Sequence, residues 1–127
     1  MAEFKDLQSS WNELVGEHLS GVVFARDYLQ LQFDHPPQLN LHSSHVVVST
    51  DGRSAKLGEE AFANLALSFI GKFVGEVTVD EQSVRILFAD ASEILISLRP
   101  EHCQGPEVVE FQDPDHPWAI LRVCDTD

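Results

Sequence analysis

The chain is poor in several residue types that usually announce a function. It has two cysteines, one methionine, one tyrosine and seven glycines in 127 residues, and eight basic residues against 21 acidic ones. Cys103 and Cys124 form no CxxC pair, so reduced, structurally incidental thiols are expected rather than a disulfide framework. No apolar run approaches the roughly 20 residues of a membrane helix. The opening Met-Ala-Glu-Phe-Lys-Asp lacks the basic-then-apolar layout of a signal peptide, which makes a cytoplasmic location the expectation. The glycines are scattered, and Gly71 and Gly75 suit a turn and a strand rather than a phosphate cradle. No serine lies in a GxSxG elbow, and Cys103 has no papain-like context. The shortage of Lys and Arg leaves a net charge of −13. Such a chain repels nucleic acid and anionic lipid and attracts a cationic partner at long range.

What the chain does have is internal periodicity. Residues 14–41 lie over residues 69–96 at an offset of 55 with no gap. Gly16 falls on Gly71, Val22 on Val77, Leu31 on Ile86, Phe33 on Phe88 and Leu41 on Ile96. Few residues are identical, but the apolar positions recur, which is what a shared backbone path requires. Each unit of about 55 residues is marginal alone, so residues 1–127 are expected to form one domain with internal repeats over about 4–50 and 59–123.

In order, Phe4, Leu7, Trp11 and Leu14 are spaced as one face of a helix, which Gly16 closes. Residues 19–25, 28–34, 38–42 and 45–50 read as strands, and the Asp34–Pro37 segment as a turn. Asp51-Gly52-Arg53-Ser54 reads as a break. A second helix is expected near residues 59–70, with Glu59 and Glu60 at the positive end of its dipole. Strands follow at 73–80, 83–89, 93–98, 108–112 and 118–123. On the outer faces, Gln32 and Asn40 in the first half correspond to Leu87 and Leu95 in the second. One sheet face is thus expected to be wet and the other covered. The predicted fold is α+β: two α-β-β-β(-β) units related by a pseudo-twofold axis, sharing one core. Their mostly antiparallel strands would form a sandwich or partly closed barrel with two packed helices.

Six histidines raise the question of a metal: His18, His35, His42, His45, His102 and His116. None has zinc-ligand spacing, although His42 and His45 would approach each other across a turn. Twin Asp-His pairs, Asp34-His35 and Asp115-His116, each precede a proline and suit surface turns. Carboxylate pairs among 21 acidic residues arise by chance, and the aromatics fall on core positions rather than on a basic stacking platform. No enzyme activity, cofactor or metal is expected.

The run Ile96-Ser97-Leu98-Arg99-Pro100-Glu101, followed by Gly105-Pro106-Glu107, together with the Leu/Phe-Val/Ile-Gly repeat, resembles small uncharacterised bacterial proteins. Some of these are immunity-like proteins of contact-dependent or polymorphic toxin systems. The resemblance covers about residues 11–111 and carries no catalytic residue across. With the −13 charge and the lack of an active-site signature, the expectation is an immunity-like binding protein whose acidic, preformed β surface meets a basic protein partner, such as a toxin; the charge disfavours nucleic acid and membrane. Carboxylates crowd the C-terminal end, so the expected partner-binding residues are Glu107, Glu110, Asp113 and Asp115, with Tyr28, Gln30 and Gln32 from the wet sheet face. The competing expectation is a homodimer that holds a small molecule or metal in a pocket between the halves.

Overall fold

Alternating apolar and polar side chains make most of the strands. In a computed structural model, residues 11–25, 28–35, 38–80, 82–102, 109–112 and 120–121 are described. The strands are β1 (Leu19–Phe24), β2 (Leu29–Phe33), β3 (Gln38–Leu41), β4 (Val46–Thr50) and β5 (Arg53–Lys56). After a short helix α1 (Phe62–Leu67) come β6 (Val74–Val79), β7 (Ser83–Phe88) and β8 (Glu93–Ser97). A single 3-10 turn (Pro100–His102) precedes β9 (Val109–Gln112) and β10 (Ile120–Leu121). In β2 every second residue is buried, and the same holds for β4 and β8.

The strands form two five-stranded sheets, in the orders β1-β2-β3-β9-β10 and β5-β4-β8-β7-β6. Every pairing is antiparallel. Neither sheet is built from one half of the chain: β4 and β5 join the sheet of β6–β8, while β9 and β10 join that of β1–β3. One hydrophobic cluster takes residues from both sheets, with Leu31, Leu39 and Leu41 from the first and Val48, Ile86 and Ile96 from the second. Trp11, Leu14, Phe62 and Phe69 complete it, and the Phe69 ring meets Phe88 edge-on at 5.3 Å.

Registers recur at the offset of 55. Leu19 pairs with Phe33 and Phe24 with Leu29, with a bulge between Leu19 and Gly21. Val74 pairs with Phe88 and Val79 with Val84, with a bulge between Val74 and Glu76. Leu29 faces Leu41, and Val84 faces Ile96. The contacts between the halves are reciprocal. Gly16 N–H donates to the Val74 carbonyl and Gly71 N–H to the Leu19 carbonyl, both at 2.8 Å. Leu19 N–H reaches Lys72 O at 2.9 Å, and Val74 N–H reaches Glu17 O at 3.0 Å. Between them His18 and Phe73 form an antiparallel bridge. Gly16 and Gly71 have φ of 90° and 98°, a region that side chains disfavour, so glycine is what lets each N–H turn toward the other half.

Four expectations are revised. Asp51-Gly52 is not a break but a hairpin turn, with φ of 52° and 76° and Thr50 paired with Arg53 across it. Two successive positive φ values match the twist of the flanking strands, so β5 forms. The second helix is shorter than residues 59–70, because Glu59 is used in a turn before it. Its Oε1 accepts the Lys56 N–H at 2.7 Å, and its own N–H donates to Lys56 O at 2.9 Å. The face expected to be wet is not open at its centre. Asn40 is 4% exposed and lies on a strand flanked on both sides, by β2 and β9. Leu87 and Leu95, expected to be covered, are half-buried. The helix expected before Gly16 falls mostly outside the described residues; Trp11 and Leu14 are buried.

Candidate functional site

The residues expected to meet a partner separate into three groups. Glu107, Asp113 and Asp115 lie outside the described residues. Glu110 is on β9, where register places it opposite Asn40 on one side and Ile120 on the other. Because Asn40 also faces Gln30, the row Gln30–Asn40–Glu110 crosses three neighbouring strands. Gln30 and Gln32 are half-buried and engaged with the sheet itself. Gln32 Nε2 donates to Gln30 Oε1 at 2.7 Å, and Gln30 Nε2 donates to Asn40 Oδ1 at 2.9 Å. Tyr28 is exposed at the end of the same sheet, its ring 5.5 Å from that of His42. Of the expected residues, the fold therefore brings Gln30 and Glu110 into one row by register, and Tyr28 is more exposed than Gln30 and Gln32.

Most of the described positive charges are held in pairs. Five of the Lys and Arg residues are described, and four of these stand beside carboxylates. Arg85 reaches Glu93 at 2.8 Å, Arg53 reaches Asp51 at 4.0 Å and Arg99 reaches Glu101 at 3.9 Å. Lys72 pairs with Asp90. The Lys72 ammonium and the Ser92 hydroxyl and N–H hold the Asp90 carboxyl down at about 2, well below the usual carboxylate range. Four of the described positive charges thus stand in pairs with carboxylates, and the surplus left over is negative.

The described histidines, His18, His35, His42, His45 and His102, do not converge on a metal. His35 Nδ1 lies 3.0 Å from Glu17 Oε1, which also accepts the His35 N–H at 3.0 Å. His18 stands 3.7 Å from Asp34. No group of three or more His, Cys, Asp or Glu among the described residues has the geometry to hold a metal ion. The sequence allows His42 and His45 to approach each other only if they flank a turn between strands. The structure instead stacks the His45 ring on His102, with centroids 3.6 Å apart and planes 16° from parallel. Ser44 Oγ lies 2.9 Å from His45 Nδ1, and Ser97 Oγ 2.6 Å from His102 Nδ1. Partial burial, then the neighbouring His102 and Lys56, push the His45 imidazole below its ordinary pKa, while Glu101 pulls the other way. His102 and Ser97 escape sequence reasoning because the contact joins positions far apart in the chain. The only local signal is that each histidine follows a strand that the repeat makes equivalent.

A shallow depression of about 290 Å³ lies between the β4–β5 and β7–β8 turns, lined by Ser49, Asp51, Arg53 and Glu93 among others. Its charged groups are already engaged, Asp51 with Arg53 and Glu93 with Arg85. Among the described residues, no helix is long and apolar enough to cross a membrane. No known family model, curated protein or solved structure matches the chain.

Proposed function

We propose that the chain is a non-enzymatic binding protein, immunity-like in manner, that presents an acidic and preformed β surface to a basic protein partner. The observation that carries this reading is the charge: 21 acidic residues against eight basic ones, with four of the five described cations beside carboxylates. A partner that acts on nucleic acid is itself basic and meets such a surface with complementary potential. Glu110, with Glu107, Asp113 and Asp115 on the same stretch of chain, supplies the acidic rim, and Tyr28 supplies an aromatic contact at the edge of the same sheet. Gln30 and Gln32 hold the sheet surface rigid rather than reach outward. Charge complementarity of this kind speeds association and makes it sensitive to salt. Capture from native lysate on the immobilised chain tests the reading. A basic protein retained at low salt and released at high salt is expected, with weaker retention by a Glu107→Gln/Glu110→Gln variant. No retained protein, or one held equally at both salt levels and by the variant, contradicts it.

The recurrence of register supports a companion proposal, that the two halves descend from one duplicated unit of helix and strands. The offset of 55 holds through β3 and β8 and becomes 63 at β4 and β9, where Val46 and Val109 occupy matching places beside Ile96 and Leu41. Eight added residues in the connection before β9 account for the change. The turn after Trp11 supports the same reading. Leu14 N–H donates to Trp11 O and Glu17 N–H to Leu14 O, as Phe69 N–H does to Ala66 O and Lys72 N–H to Phe69 O.

A further inference from the structure

The chain passes between the sheets twice by direct connections. It leaves β3 for β4 through residues 42–45, and it leaves β8 for β9 through the segment that begins at Leu98. These two crossings touch each other, and the contact is built from both sides. The Ser44 N–H donates to the His102 carbonyl at 2.7 Å, and beside it the N–H of Ser97, the last residue of β8, donates to the His45 carbonyl at 3.0 Å at the end of the β4–β8 pairing. The Ser44 hydroxyl adds a second bond to the His102 carbonyl at 3.0 Å. Ser43 Oγ and the His45 backbone bond each other at 3.2 Å, and the Arg99 N–H donates to Ser97 Oγ at 3.3 Å. Between these bonds the two imidazoles lie face to face, 3.6 Å apart.

We propose that the stacked His45–His102 pair is a proton-operated latch between the two crossings, closed while the rings are neutral and opened when both are charged. Two neutral imidazoles stack without penalty, and with one ring protonated a cation lies over a neutral π face. Two protons place like charges at stacking distance, and the pair must part. The groups that face His45 are Lys56 from β5, and Glu101 and His102 from the 3-10 turn, with Arg99 paired to Glu101. Lys56 adds to the cost of the second charge and Glu101 relieves part of it. The lowered His45 pKa has the sign that a latch favouring the neutral form requires. Its contribution is complete above the ordinary value of 6.5 and is lost as pH falls from there through the folded value.

Amide hydrogen exchange in the full chain tests the latch, with rates corrected for the intrinsic effect of pH. Protection at Ser44 and Ser97 should fall on the order of tenfold between about pH 8 and about pH 5, while the β7 amides hold theirs. In His45→Gln and His102→Gln, protection at these amides should no longer depend on pH, whatever its level. In His102→Gln the His45 midpoint, read from its ring-proton shift, should move up. Protection that stays constant in the native chain overturns the proposal. So does a pH dependence that persists in both variants, or a His45 midpoint that His102→Gln leaves in place. The latch requires no partner, so failure to capture one leaves it standing.

Discussion

Ala91 stands where the β7–β8 hairpin needs a left-handed residue, at φ of 74°. Its N–H donates to Phe88 O at 3.0 Å, and Phe88 N–H donates to Ser92 O at 2.8 Å, which closes a tight turn around it. An alanine there carries a cost of about 1–2 kcal/mol that glycine escapes. Ala91→Gly should therefore stabilise the chain, by about 1 kcal/mol after the extra freedom of glycine in the unfolded state is allowed for. Urea unfolding measures it, and a destabilised variant contradicts the assignment. Next to it, Asp90 is held at about 2 against an ordinary 3.8. A folded value below the unfolded one means that its contribution is complete above the unfolded value. It is lost as pH falls toward about 2. Lys72→Met should raise the Asp90 midpoint, read by carboxyl NMR titration; an unchanged midpoint shows that Lys72 is not its cause.

Among the elements, β2 and β7 match in burial, with alternate residues turned into the core in each. Leu31 lies between Val22 and Leu39, and Ile86 between Val77 and Ile94. They are 1% and 0% exposed. Leu31→Ala and Ile86→Ala should each cost about 2–5 kcal/mol, and by similar amounts, because each empties the same place in its sheet. Denaturant titration of both variants tests this, and a large cost at one site with little at the other contradicts the equivalence. These strands were legible because alternation places Leu29, Leu31 and Phe33 on one face, and Val84, Ile86 and Phe88 on another. Strand β5 was not legible, because the Asp51-Gly52 turn signal between Thr50 and Arg53 reads equally well as a break. The helix boundary was not legible. Glu59 suits a first helical turn by charge, and only the backbone shows its carboxylate bonded to the Lys56 N–H instead.

At the scale of the molecule, local pattern gives strands but not their neighbours. Nothing in Val46–Thr50 says that it pairs with Glu93–Ser97 rather than with Gln38–Leu41, because all three present a suitable apolar face. The exchange is decided by which arrangement buries both halves at once, and that is a property of the pair. The same exchange explains why Asn40, outward-facing and polar, is nevertheless buried: β9 from the other half lies against it. It also explains why His45 meets His102 rather than His42. The proposed partner surface rests on charge and residue type, from the dense carboxylates of the C-terminal third. Its shape was not legible, since Glu110 reaches the row of Gln30 only through β9 crossing to the first sheet.

The most direct measurement is the pattern of cross-strand backbone NOEs in the isotope-labelled chain. Contacts between β4 and β8, as at Val48 with Ile94, and between β3 and β9, as at Asn40 with Glu110, are the result that exchange between the halves predicts. A ladder of NOEs joining β3 directly to β4, with none from β3 to β9, contradicts it.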